Sequence, residues 1–170
     1  MMNIYCKIFL LLFFLLLAAG CAPVISEQLR LQARQDITFR EVFNDPEEYK
    51  GEIIIVSGVI IEAINTHEGT LMTILQRPSD SRGMPQDVDT SEGRFLALHT
   101  HYLDVEVYKK GRKVTIAGNV QGKRSQPLGE IQYDYPLIHV EELYLWPEIQ
   151  RYDYPSYHYP HRWRRYYWCY

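Results

Sequence analysis

Cysteine is scarce in this chain: 170 residues hold three, Cys6, Cys21 and Cys169. That excludes a disulfide-dense scaffold and a cysteine-rich zinc module. Long apolar runs are scarce too. The run from Ile8 to Ala19 is 12 residues, short of the about 20 that a helix needs to cross a hydrocarbon layer of about 30 Å. An excess of positive charge is also missing, since the whole chain carries −3 and residues 21 to 150 hold 13 basic against 20 acidic side chains, net −7. Such a balance argues against nucleic acid as a partner, because that affinity rests on cationic contacts to phosphate. No P-loop, dinucleotide fingerprint or lipase-type serine elbow is present. Ser57 stands beside Gly58 inside a strand pattern rather than on a strand-to-helix turn.

What is present falls into three unlike pieces. The first, residues 1 to 20, has Lys7 ahead of the apolar run and the small residues Ala18, Ala19 and Gly20 behind it. This is the pattern of a signal peptide. The tetrapeptide Ala18-Ala19-Gly20-Cys21 resembles the lipobox of bacterial lipoproteins. That resemblance implies a diacylglyceryl thioether on Cys21, cleavage before it, and an acyl chain on the amine so freed. Two or more chains hold a protein stably where one holds it marginally. Ala22, in place of an aspartate, implies transfer to the outer membrane, with the protein facing the periplasm. With Cys6 removed and Cys21 acylated, Cys169 is left without an intrachain partner.

The second piece reads as a polar tether, or a loosely held helix, over residues 21 to 37, followed by a domain over 38 to 150. Thr38 and Glu41 form a capping box, and Phe39, Val42 and Phe43 give the apolar face of a short helix ending near Asn44-Asp45-Pro46. Strands are then expected at 52 to 64, 70 to 76, 94 to 99, 113 to 120 and 137 to 146, with a further short one at 130 to 133. Loops are expected at 77 to 91 and 121 to 129, and residues 102 to 108 read as a short helix or strand. The alternation of Val114, Ile116, Gly118 and Val120 against Lys113, Thr115, Ala117 and Asn119 predicts one buried and one wet face. Gly58 and Gly118 each sit at the centre of a β-branched segment, where a bend is expected. The chain is therefore mainly β: an OB-like Greek-key barrel of five or six strands with a short helix before the first. A β-sandwich is the alternative.

The order and spacing of these residues carry a family likeness. Phe43, Pro46, Tyr49 and Gly51, then Gly58, Ile64-Asn65, Gly69-Thr70-Leu71, Glu92 to Leu96, Leu103-Asp104, Gly111-Arg112, Gly118, Gly122, Tyr133, Tyr135-Pro136 and Leu145-Trp146 together resemble the Slp family of outer-membrane lipoproteins. The resemblance spans about residues 40 to 147 and the lipobox. It implies a Gram-negative outer-membrane lipoprotein linked to starvation, stationary phase and envelope stress, and it supplies no catalytic residues.

Candidate chemistry is thin. His99, His101 and Asp104 could offer zinc two imidazoles and a carboxylate, which would make a metal-dependent hydrolase. Half-exposed histidines at a strand end are the plainer reading. His158 and His161 would bind metal weakly at most. Asp80, Asp87, Asp89 and Glu92 surround one loop but lack EF-hand spacing. No catalytic residue, resident metal or cofactor is expected beyond the lipid on Cys21. The third piece, residues 151 to 170, stands out: seven Tyr, two Trp and four Arg against the single acid Asp153. Tyr152, Tyr154, Tyr157, Tyr159, Arg162, Trp163, Arg164, Arg165 and Trp168 are the candidate partner-binding residues, because interfacial headgroups and stacking ligands select Tyr, Trp and Arg. Lipopolysaccharide, peptidoglycan or another envelope protein are the partners considered, and a tail folded back on its own domain is the competing reading. The functional expectation is a non-enzymatic structural, interaction or protective role in the envelope; the alternative is a periplasmic module binding a small ligand or a protein.

Overall fold

The computed structural model describes residues 22–148. Two short helices, α1 (Glu27–Gln32) and α2 (Phe39–Asn44), precede five strands: β1 (Ile53–Thr66), β2 (Gly69–Gln76), β3 (Arg94–His99), β4 (Lys113–Leu128) and β5 (Ile131–Leu145). The strands close into a barrel in the order β1-β2-β3-β5-β4, with β4 returning to β1. Each neighbouring pair is antiparallel except β3 with β5. This ring is an OB-like barrel, not a two-sheet sandwich.

Alternation along each strand places the core. Ile54, Val56, Ile60, Met72, Ile74, Phe95, Val114, Ile116, Val120, Ile138 and Val140 point inward and form one buried cluster. The barrel is thus filled with side chains. α2 seals one end: its capping box is present, with Thr38 Oγ1 accepting from the Glu41 amide and Glu41 Oε2 accepting from the Thr38 amide. Val42 is fully buried, and Phe39 lies 5.4 Å from the ring of Phe95.

The curl of the sheet needs strands to approach closely at Gly58 and Gly118. A Cβ on Gly58 would lie 2.4 Å from the Leu75 carbonyl oxygen, and one on Gly118 would lie 2.4 Å from that of His139. Both contacts are with backbone, so neither can yield. The register of β4 on β5 shifts beside Gly118, as expected; that of β1 on β2 shifts between Ile60 and Glu62, just beyond Gly58.

Four expectations are corrected. Residues 121 to 128 are not a loop: β4 runs on to Leu128 and pairs with β5 as a long ribbon. The strands expected at 130 to 133 and 137 to 146 are one strand. Pro136, which has no N–H to donate, is tolerated because it faces Lys123 at a register shift. Residues 102 to 108 are neither helix nor strand. Asp104 Oδ1 accepts from the Glu106 amide and its carbonyl from Val107 and Tyr108, which makes one closed turn. Finally, the outward face of β4 is not wet, because Thr115 and Ala117 are fully buried.

Candidate functional site

What buries that face is the segment expected to be a tether. The chain from Val24 to Asp36 is a strap across the outside of β1, β4 and β5. The Val24 amide donates to the Arg82 carbonyl at 3.2 Å, and the Arg34 amide to that of Ile53 at 2.9 Å. The Ser26 amide donates to the Glu142 carboxylate at 3.0 Å. Ile25 is 3% exposed. Arg34 fixes the far end by a two-pronged contact with Asp36, both bonds 2.8 Å, and a third bond to Glu52. Those guanidinium bonds hold the Asp36 carboxyl down at about 2 and raise Arg34 above its ordinary value.

Beneath the strap lies a polar centre. Ser57 and Thr115 face outward opposite one another on β1 and β4. Both hydroxyls donate to the Gly83 carbonyl, at 2.8 and 2.6 Å, and Thr115 Oγ1 accepts from Trp146 Nε1 at 2.9 Å. The loop 77–91 is thereby drawn onto the barrel. Asp80 orders its turn by accepting from the amides of Met84 and Arg82, which lowers its pKa. Between strap and loop remains a mostly apolar cleft of about 190 Å³, whose lining includes Pro23, Ile25, Ile55 and Gly83 with Arg30 and Arg82. A second cleft of about 180 Å³ lies at Arg112, Lys113 and Trp146. Both fall below the roughly 300–1,000 Å³ of drug-sized ligand sites.

The opposite face, the outside of β2, β3 and β5, is also covered. Leu71, Leu96, Tyr135 and Leu137 form a separate buried cluster, with Leu98 and Tyr133 packed against it. The ribbon formed by the distal halves of β4 and β5 closes over them. The Tyr133 ring packs tilted against that of Tyr135, centroids 4.5 Å apart, lies 6.0 Å from the ring of Phe43 of α2, and its hydroxyl accepts from the Arg94 amide. Arg124 reaches Glu68 in the β1–β2 turn at 3.1 Å. OB folds bind oligonucleotides and oligosaccharides on the face of strands 2 and 3, and here that face is occupied by the chain itself.

The residues proposed for metal do not assemble. His99 Nδ1 is 3.1 Å from the His101 carbonyl oxygen, and Asp104 caps its own turn. Among the described residues no group of three or more His, Cys, Asp and Glu side chains could hold a metal ion. Of the loop acids, Asp87 pairs with Lys113 and Glu92 with Arg40. Cys21, His158, His161, Cys169 and the aromatic and arginine residues from Tyr152 to Trp168 lie outside the described residues. The buried centre of Ser57, Thr115 and Trp146 was missed from sequence. Its signal was that the outward positions Ile53, Ile55 and Val59 of β1 are apolar, which a wet face would not select.

The model of the outer membrane lipoprotein Slp family matches residues 18–170. The chain belongs to that family. It is 29% identical to the outer membrane protein Slp of Escherichia coli over 132 residues, 76% of this chain and 69% of that one. It is 23% identical to an uncharacterized protein of Haemophilus influenzae over 148 residues, 85% of this chain and 80% of that one. Membership of the Slp family places the protein at the outer membrane. Among solved structures, the small single-stranded DNA-binding protein from Streptomyces coelicolor is similar over 56% of this chain and 94% of its own, at 11% identity and a TM-score of 0.35. So distant a likeness says nothing about ligands; the OB-like assignment rests on strand order.

Proposed function

We propose that this Slp-family member is a non-enzymatic envelope lipoprotein, anchored by lipid on Cys21, whose barrel is a rigid scaffold and whose C-terminal tail is the contact element. Its service is structural or protective under starvation or envelope stress. The observation that carries the reading is that the chain covers its own barrel: strap and loop over β1 and β4, ribbon over β2, β3 and β5, side chains throughout the interior. The surfaces on which an OB-like fold could hold a nucleic acid or a small ligand are thereby taken up, and the net charge of −7 over residues 21 to 150 also disfavours nucleic acid. Among the described residues the alternatives find less support: His99, His101 and Asp104 do not assemble for a metal-dependent hydrolase, and the two clefts are small for a small-ligand receptor.

The tail, with net charge +3 over residues 151 to 170, suits anionic lipopolysaccharide, peptidoglycan or an acidic envelope protein. The anchor is tested by metabolic palmitate labelling. Cys21→Ala is expected to lose the label and accumulate as uncleaved precursor; retained label would overturn the anchor. For the tail, truncating the unlipidated domain, residues 22 to 170, after residue 150 is expected to abolish its co-sedimentation with lipopolysaccharide vesicles or with sacculi. Unchanged sedimentation would return the contact role to the barrel.

A further inference from the structure

The strap fixes more than the fold. We infer that the protein lies directly on the phospholipid bilayer that holds its anchor, with the strap face of β1 and β4 turned to the headgroups. The inference rests on lipidation of Cys21 and concerns orientation, which lipidation alone leaves open.

Chain length supplies the first argument. Only Ala22 lies between Cys21 and Pro23, and a step of two residues spans at most about 7 Å even when fully extended. Pro23 already lines the cleft, the next residue is hydrogen-bonded to the Arg82 carbonyl, and the one after that is buried. No flexible spacer intervenes between the lipid-bearing residue and the barrel wall. A diacylglyceryl group seated at the boundary of headgroups and acyl chains therefore brings the strap face to that boundary.

The chemistry of the face supplies the second. The cleft has apolar walls at Pro23, Ile25 and Ile55, with Arg30 and Arg82 among its lining residues. Leu31 is 79% exposed and Ile55 38% exposed. Apolar side chains beside guanidinium groups are what an interfacial surface takes up, since arginine donates to phosphate while the apolar groups enter the acyl boundary. A guanidinium has five N–H donors. Arg30 uses one on the Ile25 carbonyl and Arg82 one on Asp80 at 3.4 Å. Two of the nearby acids are engaged within the chain, Glu142 by the Ser26 amide and Asp80 by the Arg82 and Met84 amides, whereas Glu27 of α1 is exposed. In the five-membered ring β3 stands opposite the β1–β4 pair, so it becomes the wall farthest from the bilayer.

The test uses the full-length lipoprotein with Cys169→Ser, reconstituted into phosphatidylethanolamine and phosphatidylglycerol vesicles that contain nitroxide-headgroup lipid. Single cysteines at Leu31→Cys, Ile55→Cys, Tyr102→Cys and Ile131→Cys carry a fluorophore. The last two positions are 68% and 60% exposed, one after β3 and one on the ribbon that crosses it. Emission is expected to fall strongly at 31 and 55 and to be nearly unchanged at 102 and 131. Should Ile55→Cys fail to fold, Leu31→Cys against Ile131→Cys, both at highly exposed positions, decides the matter. Vesicle flotation of the same samples separates the two claims. Protein that floats with equal quenching at all sites overturns the orientation alone. Protein that does not float overturns the anchor and the orientation with it.

Discussion

The two covers of the barrel are built differently. Over β1 and β4 the strap and loop close on a polar centre in which Ser57, Thr115, Trp146 and the Gly83 carbonyl each meet a specific atom. Over β2, β3 and β5 the ribbon closes on Leu71, Leu96, Leu137 and Tyr135, which need only matching volume. A hydrogen-bonded centre admits one geometry, because a buried donor or acceptor left without its partner costs about 1–3 kcal/mol. An apolar contact admits many shapes at small cost. The difference teaches that the N-terminal side is positioned, as a part that must present the chain at one place, whereas the ribbon is packed.

The largest expected effect comes from removing the lid of the polar centre. Trp146 is 7% exposed, and Trp146→Ala is expected to destabilise by about 3–5 kcal/mol in urea unfolding. A loss under 1 kcal/mol would show that the centre contributes nothing. The comparison itself is sharpened by two near-isosteric substitutions. Thr115→Val keeps the shape but strips the partner from Trp146 Nε1 and one from Gly83, with an expected cost of about 1–3 kcal/mol. Leu96→Met, on the other face, is expected to cost less than about 1.5 kcal/mol. Equal costs, or the reverse order, would erase the distinction between a positioned and a packed cover.

The smallest effect is at the far end of the strap. Asp36 ionises at about 2 instead of the ordinary 3.8, because Arg34 hydrogen-bonds its carboxylate. A carboxyl whose folded value is lowered contributes its stability fully above the unfolded value and loses it as pH falls through the folded one. The Tm difference between wild type and Asp36→Asn should therefore be constant above about pH 5, shrink as pH falls, and vanish only by about pH 1. The pair is exposed, so the difference is expected to be modest and smaller at high salt. A difference that grows on acidification would contradict the assignment.

These contrasts also explain what could be read in advance. β3, over Arg94–His99, and the capping box of α2 were legible because each is a local pattern: a short apolar run bounded by turns, and Thr38 with Glu41 three residues later. The ribbon was not, since Gln121 to Leu128 is polar and contains Pro127, and its pairing with Ile131 to Pro136 is a long-range fact. Nor was the strap legible. One buried side chain, Ile25, a few backbone hydrogen bonds and the side chains of Glu142 and Glu52 hold it, and none of these leaves a periodic trace. Thr115 was read as outward, which is right, and as wet, which fails because tertiary cover overrides alternation. The candidate site is thus visible only once the barrel closes and brings residues 25, 57, 83, 115 and 146 together.

Residues 22 to 36 are part of the barrel and not a tether to it. Hydrogen exchange of the full-length protein at the amides of Val24 and Arg34, bonded to the carbonyls of Arg82 and Ile53, addresses this most directly. Protection at both positions comparable to that of β1 amides is the predicted result. Exchange of both at the rate of an unstructured peptide, with β1 still protected, would make the segment a tether after all.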